Sequence, residues 1–290
     1  MKNRSIKSQW HSQKVNMGGI ILDQPLPTQK VDTIDPFILI HHWNDKVPAG
    51  RKQKEVGVGP HPHRGFSPVT FIFKRAVHHR DSLGTSSIIR EGGTQWMNSG
   101  RGIVHSERPN KELAENGGDF ELIQFWVNAP AAHKMDPPSY QPITAEETPK
   151  VKSPDGKVEL GVVCGEYEDK KGKVSPHSEM LICRLNIESG GKMSVKIPNG
   201  YNALVYQLDG KMRLNDSEGL AKDIFWLEAD GDGFEVEGID FTRAILLAGK
   251  PINEPISTYG PFVMNTQTEI MQALRDYQMG KMGVLIEDFD

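Results

Sequence analysis

Cysteine is almost absent from this chain: Cys164 and Cys183 are the only two among 290 residues. Both lie in apolar, strand-like runs without CxxC spacing, so they read as buried free thiols, and neither a disulfide framework nor a cysteine zinc site is expected. Long apolar runs are missing too. Nothing approaches the ~20 residues of a membrane-spanning helix, and the polar start Met1–Val15 has no signal-peptide core. A soluble, cytoplasmic protein is expected, or a nuclear one in a eukaryotic cell, with no membrane partner. Charge of a single sign is also lacking: Lys plus Arg number 34 against 38 for Asp plus Glu, a net −4, which gives no global pull toward nucleic acid. The start is locally basic, with Lys2, Arg4, Lys7, Lys14 and Lys30 against Asp23, and a solvated edge strand accounts for this.

What the chain has is turn residues, 29 Gly and 19 Pro, between short runs of strand-forming side chains. Such runs fall at 15–22, 37–43, 69–73, 76–79, 86–89, 94–97 and 120–127. After the proline-rich stretch 128–154 they resume at 158–163, 180–187, 193–197, 203–208, 211–214, 223–227, 233–236 and 242–248. Regular short strands indicate a sandwich or barrel in each half. One helix stands out near the end, where Thr266 and Glu269 form a capping box, Ile270, Leu274 and Tyr277 a stripe, and Gly280 a stop. A weak internal repeat sets Phe71–Asp81 beside Tyr206–Asp216, each reading as strand, tight turn, strand. That alignment places Lys196 and Pro198 opposite His61 and His63, so a duplicated fold would keep ligands only in its first copy.

The stretch from His61 to Glu107 carries the chemistry. Side chains two apart on a strand share a face, so His61-Pro62-His63 and His105-Ser106-Glu107 each form a two-pronged claw. Two claws on neighbouring strands would offer three imidazoles and a carboxylate to one ion and leave positions open, which suits a reactive transition-metal site. His41, His42, His78 and His79 come as adjacent pairs whose members face opposite ways, and they read as structural or rim residues.

These motifs also carry a family resemblance. Asp35-Pro36-Phe37, His61-Pro62-His63-Arg64-Gly65-Phe66, Gln95-Trp96-Met97, Ser99-Gly100-Arg101-Gly102-Ile103-Val104-His105-Ser106-Glu107, Trp126-Val127-Asn128 and Tyr259-Gly260-Pro261-Phe262 resemble the pirin family of the cupin superfamily, over nearly the whole chain. The resemblance implies an all-β protein of two jelly-roll barrels in tandem with a short C-terminal helix. Its parts would be a metal-bearing N-terminal cupin domain over 1–135, a linker over 136–155, a C-terminal cupin domain without ligands over 156–264, and a helix and tail over 265–290. It implies iron(II) at His61, His63, His105 and Glu107; histidine and carboxylate sites equally accept manganese, nickel, copper or zinc. The chain departs from the family pattern at Ser67, at Lys74-Arg75 in place of Glu-Gly, and at Glu91-Gly92-Gly93-Thr94 in place of Pro-Gly-Asp.

Several pirins are described as quercetin 2,3-dioxygenases, and the resemblance implies the same reaction here: O2-dependent opening of the central flavonol ring with release of carbon monoxide. Glu107 is then the catalytic candidate, as ligand and as acceptor of the 3-hydroxyl proton, while Phe66, Phe73, Trp96 and Met97 are candidate walls for a planar phenolic substrate. Two alternatives stay open: an iron-dependent redox-sensing regulator that binds a protein partner, as some pirins act as transcription co-regulators, and a dioxygenase for another phenolic or enolic compound. No direct nucleic-acid binding is expected.

Overall fold

The computed structural model describes residues 1–289. Strand follows strand along most of the chain, as expected where β-branched and aromatic residues alternate between turn glycines. Two barrel-like units result, and their packing does not follow chain order. Met1–Ile40 packs with Glu146–Ile252, and His41–Ala145 packs with the chain from Asn253 onward.

The first of these units has one sheet in the order Ile6–His11, Asp223–Leu227, Asn202–Gln207, Thr242–Gly249, Met180–Ile187, Val158–Cys164, Lys150–Lys152. Its smaller sheet runs Lys192–Lys196, Gly233–Gly238, Lys211–Leu214, Ser217–Leu220. Its core is almost entirely hydrocarbon, including Val162, Leu185, Val205, Met212, Phe225, Phe234 and Leu246. Lys196 and Pro198 are exposed while Val195 and Ile197 are buried, so the positions matching His61 and His63 turn outward here and the interior receives alkyl groups instead. The basic start does form an edge strand, but Arg4 is not solvated: it is buried and donates to the carbonyls of Tyr201 at 2.7 Å and Pro198 at 2.9 Å.

The second unit holds the two claws. After the strand Phe37–Val47 come β1 (Val58–His63), β2 (Phe66–Lys74), β3 (Ala76–Asp81), β4 (Ser86–Arg90), β5 (Thr94–Asn98), β6 (Ile103–Pro109), β7 (Gly118–Asn128), β8 (Ser139–Ile143) and β9 (Phe262–Met264). A short helix α1 (Lys111–Asn116) lies between β6 and β7, and α2 (Gln267–Gln278) follows β9. One antiparallel sheet is ordered β1-β6-β3-β4, and the facing one contains β8-β5-β2-β7. Val47, Ile72, Val77, Ile89, Leu113 and Phe120 form an apolar cluster in this unit. The stretch 136–155, expected as a linker, supplies an edge strand to each unit, β8 and Lys150–Lys152. Pro142 is tolerated in β8 because an edge position does not need every N–H.

The capping box forms as the sequence indicates, with Glu269 N–H donating to Thr266 Oγ1 at 3.2 Å and Thr266 N–H to Glu269 Oε2 at 2.8 Å. The buried face of α2 is Ile270, Ala273 and Asp276, however, and Tyr277 stays exposed. Leu274 packs partly buried beside Ile270 and Ala273, and Asp276 on the buried face receives Arg64 Nη1 at 2.9 Å. The repeat is visible in the backbone: Arg75 and Gly210, aligned turn residues, have φ of 69° and 70°.

Candidate metal centre

The claws meet as neighbouring strands. β1 and β6 pair antiparallel with His105 opposite His61 and Val104 opposite Pro62, so His61, His63 and His105 share one face. The ring centroids of His61 and His63 lie 4.7 Å apart, those of His61 and His105 4.4 Å, and those of His63 and His105 4.9 Å. One ligand atom from each lies within 4.8 Å of the others. Gly65 makes the following turn possible: its φ is 85°, and a Cβ there would stand 2.1 Å from the carbonyl oxygen of Val263, so only glycine lets the chain double back immediately after His63.

The outer nitrogens of the three rings are committed elsewhere. His61 Nδ1 lies 2.8 Å from the Gly59 carbonyl, His63 Nδ1 3.4 Å from the Pro261 carbonyl, and His105 Nδ1 3.5 Å from His79 Nδ1. A carbonyl can only accept, so in His61 and His63 the proton belongs on Nδ1 and Nε2 keeps its lone pair. The Nε2 atoms of His63 and His105 are buried without a hydrogen-bond partner. Burial, reinforced by the neighbouring imidazole of His61, holds both rings well below the usual histidine range, so both stand neutral. Orphaned, neutral imidazole nitrogens gathered in one place are what a borderline transition-metal cation requires.

Glu107 shares this face of β6 but lies outside the three-histidine group. Its Oε1 accepts from the Thr70 hydroxyl at 3.0 Å and from Gln95 Nε2, and its Oε2 accepts from Gln124 Nε2 at 2.6 Å. Thr70, Gln95 and Gln124 lie at matching registers on β2, β5 and β7, so the facing sheet builds a polar cradle for one carboxylate. The wall candidates divide by strand parity. Phe66 lies on the same face of β2 as Thr70, with its ring 5.0 Å from His63, and Met97 follows Gln95 on the same face of β5, opposite Tyr140. Trp96 pairs with Val69 on the opposite face and donates to Asn98 Oδ1 at 2.8 Å. Phe73 shares that opposite face with Phe71, at 6.5 Å. Ser67 also points there, donating to Asn98 at 2.8 Å, so its departure from the family pattern does not alter the histidine side.

Four further residues belong to the site. Trp126 stands 5.5 Å from His63 and 4.3 Å from Phe66. Tyr140 stacks on His79 at 4.1 Å and donates to Gln95 Oε1 at 3.1 Å. Lys134, its ammonium pushed down to about 8 by burial, donates to the carbonyls of Gly65 and Val263 at 2.7 and 3.0 Å and to Asn128 Oδ1 at 2.6 Å. It thereby fastens the turn after His63 to β9. His79 had a readable signal: with Asp81 it is another pair two apart on a strand, hidden by its adjacency to His78. Trp126 lies in the Trp126-Val127-Asn128 stretch that carries the resemblance, whereas Lys134 and Tyr140 come from segments with no motif of their own.

Comparison with known proteins agrees with this architecture. The family model Pirin matches residues 19–127, and the model described as the pirin C-terminal cupin domain matches 182–283. Human pirin is 35% identical over 264 residues, covering 88% of this chain and 85% of its own. The crystal structure of a quercetin 2,3-dioxygenase from Acinetobacter baumannii superposes with a TM-score of 0.92 at 34% identity, covering 98% of this chain and 100% of that one. A bacterial pirin from Escherichia coli, solved in complex with nickel(II), shares the fold with a TM-score of 0.63 at 19% identity, over 83% of this chain and 96% of that one.

Proposed function

The chain belongs to the pirin family, and from that premise we propose that it is a metal-dependent dioxygenase that cleaves the flavonol ring in the manner of a quercetin 2,3-dioxygenase. The observation that carries the metal site is the pair of buried, unpartnered Nε2 atoms of His63 and His105 beside His61. In this reading His61, His63 and His105 hold iron(II), and Glu107 completes the set when its carboxylate turns from the amides toward the histidines. When bound, the ion supplies Lewis acidity toward an enolic oxygen and a place for dioxygen.

The protein's own groups would perform the remaining tasks. Phe66 and Trp126 would offer apolar surface beside His63 for a planar ring system, with Met97 on the face of β5 that carries Gln95. Glu107, whose carboxylate is reached by the Thr70 hydroxyl and the Gln95 and Gln124 amides, would accept the proton of the flavonol 3-hydroxyl. That transfer leaves an electron-rich enolate to react with dioxygen. Both oxygen atoms then enter the ring-opened product as one ring carbon leaves as carbon monoxide. The test is oxygen uptake by the iron(II)-loaded protein with quercetin, beside a His63→Ala control. Uptake matched to loss of flavonol absorbance and abolished in the control is expected. No uptake from protein that contains iron would overturn the reading and favour a regulator that binds a protein partner.

A further inference from the structure

His79 is fully buried and stands outside the three-histidine group, one strand away from it. Its Nε2 lies 3.1 Å from Asp81 Oδ2. The other oxygen of Asp81 accepts the backbone N–H groups of Leu83 at 2.9 Å and Thr85 at 3.1 Å, which fixes the carboxylate in the turn between β3 and β4. A carboxylate can only accept, so in the neutral imidazole of His79 the proton belongs on Nε2 and Nδ1 carries the lone pair. That lone pair faces His105 Nδ1 at 3.5 Å. The contact is favourable when His105 carries its proton on Nδ1, and this leaves its Nε2, the buried atom without a partner, as the donor toward a cation. The His79 ring has little freedom to turn away, because Tyr140 stacks on it with only 14° between planes.

We propose that Asp81 and His79 form a positioning relay that sets the tautomer and orientation of His105, presenting its Nε2 lone pair to the metal ion. The inference rests on the reading of His61, His63 and His105 as ligands. His61 and His63 are oriented by backbone carbonyls; His105 is the one held by a side chain, and so the one whose outer partner a substitution can reverse. Such outer partners raise ligand basicity, and their loss costs roughly 10–100-fold in metal affinity.

Asp81→Asn makes the sharper test. The backbone N–H groups of Leu83 and Thr85 demand the amide oxygen, so the amide NH2 faces His79 Nε2. His79 must then carry its proton on Nδ1, and His105 must move its own to Nε2, where it blocks the ligand position. Nitrogen-15 histidine NMR of the metal-free protein at fixed pH is expected to show Nδ1-protonated His105 in the parent chain and Nε2-protonated His105 in Asp81→Asn. Cobalt(II) titration should show binding weakened about 10–100-fold in the variant. His79→Leu, the second variant, should leave His105 with mixed tautomers and a shifted cobalt visible spectrum. An unchanged His105 tautomer in both variants overturns the relay. Failure of the parent chain to bind cobalt, with the tautomer reversal intact, overturns the metal reading and leaves the relay standing.

Discussion

At the scale of single residues, burial keeps His63 and His105 of the site neutral, and it acts on His41 outside the site as well. His41 is pushed down to about 4 by burial, and His63 and His105 lie well below the usual range for the same reason. A histidine with a lowered native pKa binds fewer protons folded than unfolded between its two pKa values. Its contribution to stability is therefore complete above the unfolded value of about 6.5 and is lost as pH falls toward the native value. The metal-free protein should accordingly lose stability from about pH 6.5 down to 4, read as a falling urea midpoint, and a flat profile there would contradict the neutral-ligand assignment. The gathering of His61, His63 and His105 was legible in the sequence because strand parity places residues two apart on one face. The cradle around Glu107 was not legible: Gln95, Gln124 and Thr70 are ordinary strand residues until register sets them opposite one another.

At the scale of elements, turns decide whether the strands meet correctly. The β2–β3 turn places Arg75 at a φ of 69°, where the aligned turn of the other unit has Gly210 at 70°. A residue with a Cβ in this left-handed region carries about 1 kcal/mol of strain that glycine avoids. Arg75→Gly should therefore stabilise the protein by about 1 kcal/mol in chemical denaturation, and a loss of stability would show that the Arg75 side chain contributes more than the backbone strain costs. Here the sequence was informative, since Lys74-Arg75 stands where the family has Glu-Gly. It was less so for β8, whose prolines suggest a connector although an edge strand accommodates them. Likewise α2 was placed correctly by its caps, but its buried face includes Asp276, paired with Arg64, a contact that helical periodicity alone does not reveal.

At the scale of the whole molecule, two barrels built on one plan have separate interiors: hydrocarbon in one, a histidine and amide site in the other. The duplication was legible through the internal repeat. The grouping of Met1–Ile40 with Glu146–Ile252 was not, because pairing between segments distant in the chain leaves no local signal. Metal held only by the second unit should stabilise that unit by mass action, about 2.7 kcal/mol at a free metal concentration 100 times Kd. Hydrogen exchange should then slow in β1, β6 and β3 on metal addition while Val158–Cys164 and Thr242–Gly249 are unaffected; uniform protection of both units would contradict the assignment. The most direct measurement is metal content combined with X-ray absorption at the iron edge. One iron per chain with three imidazole ligands is expected, lost in His63→Ala and His105→Ala. Iron bound without imidazole, or retained in both variants, would contradict it.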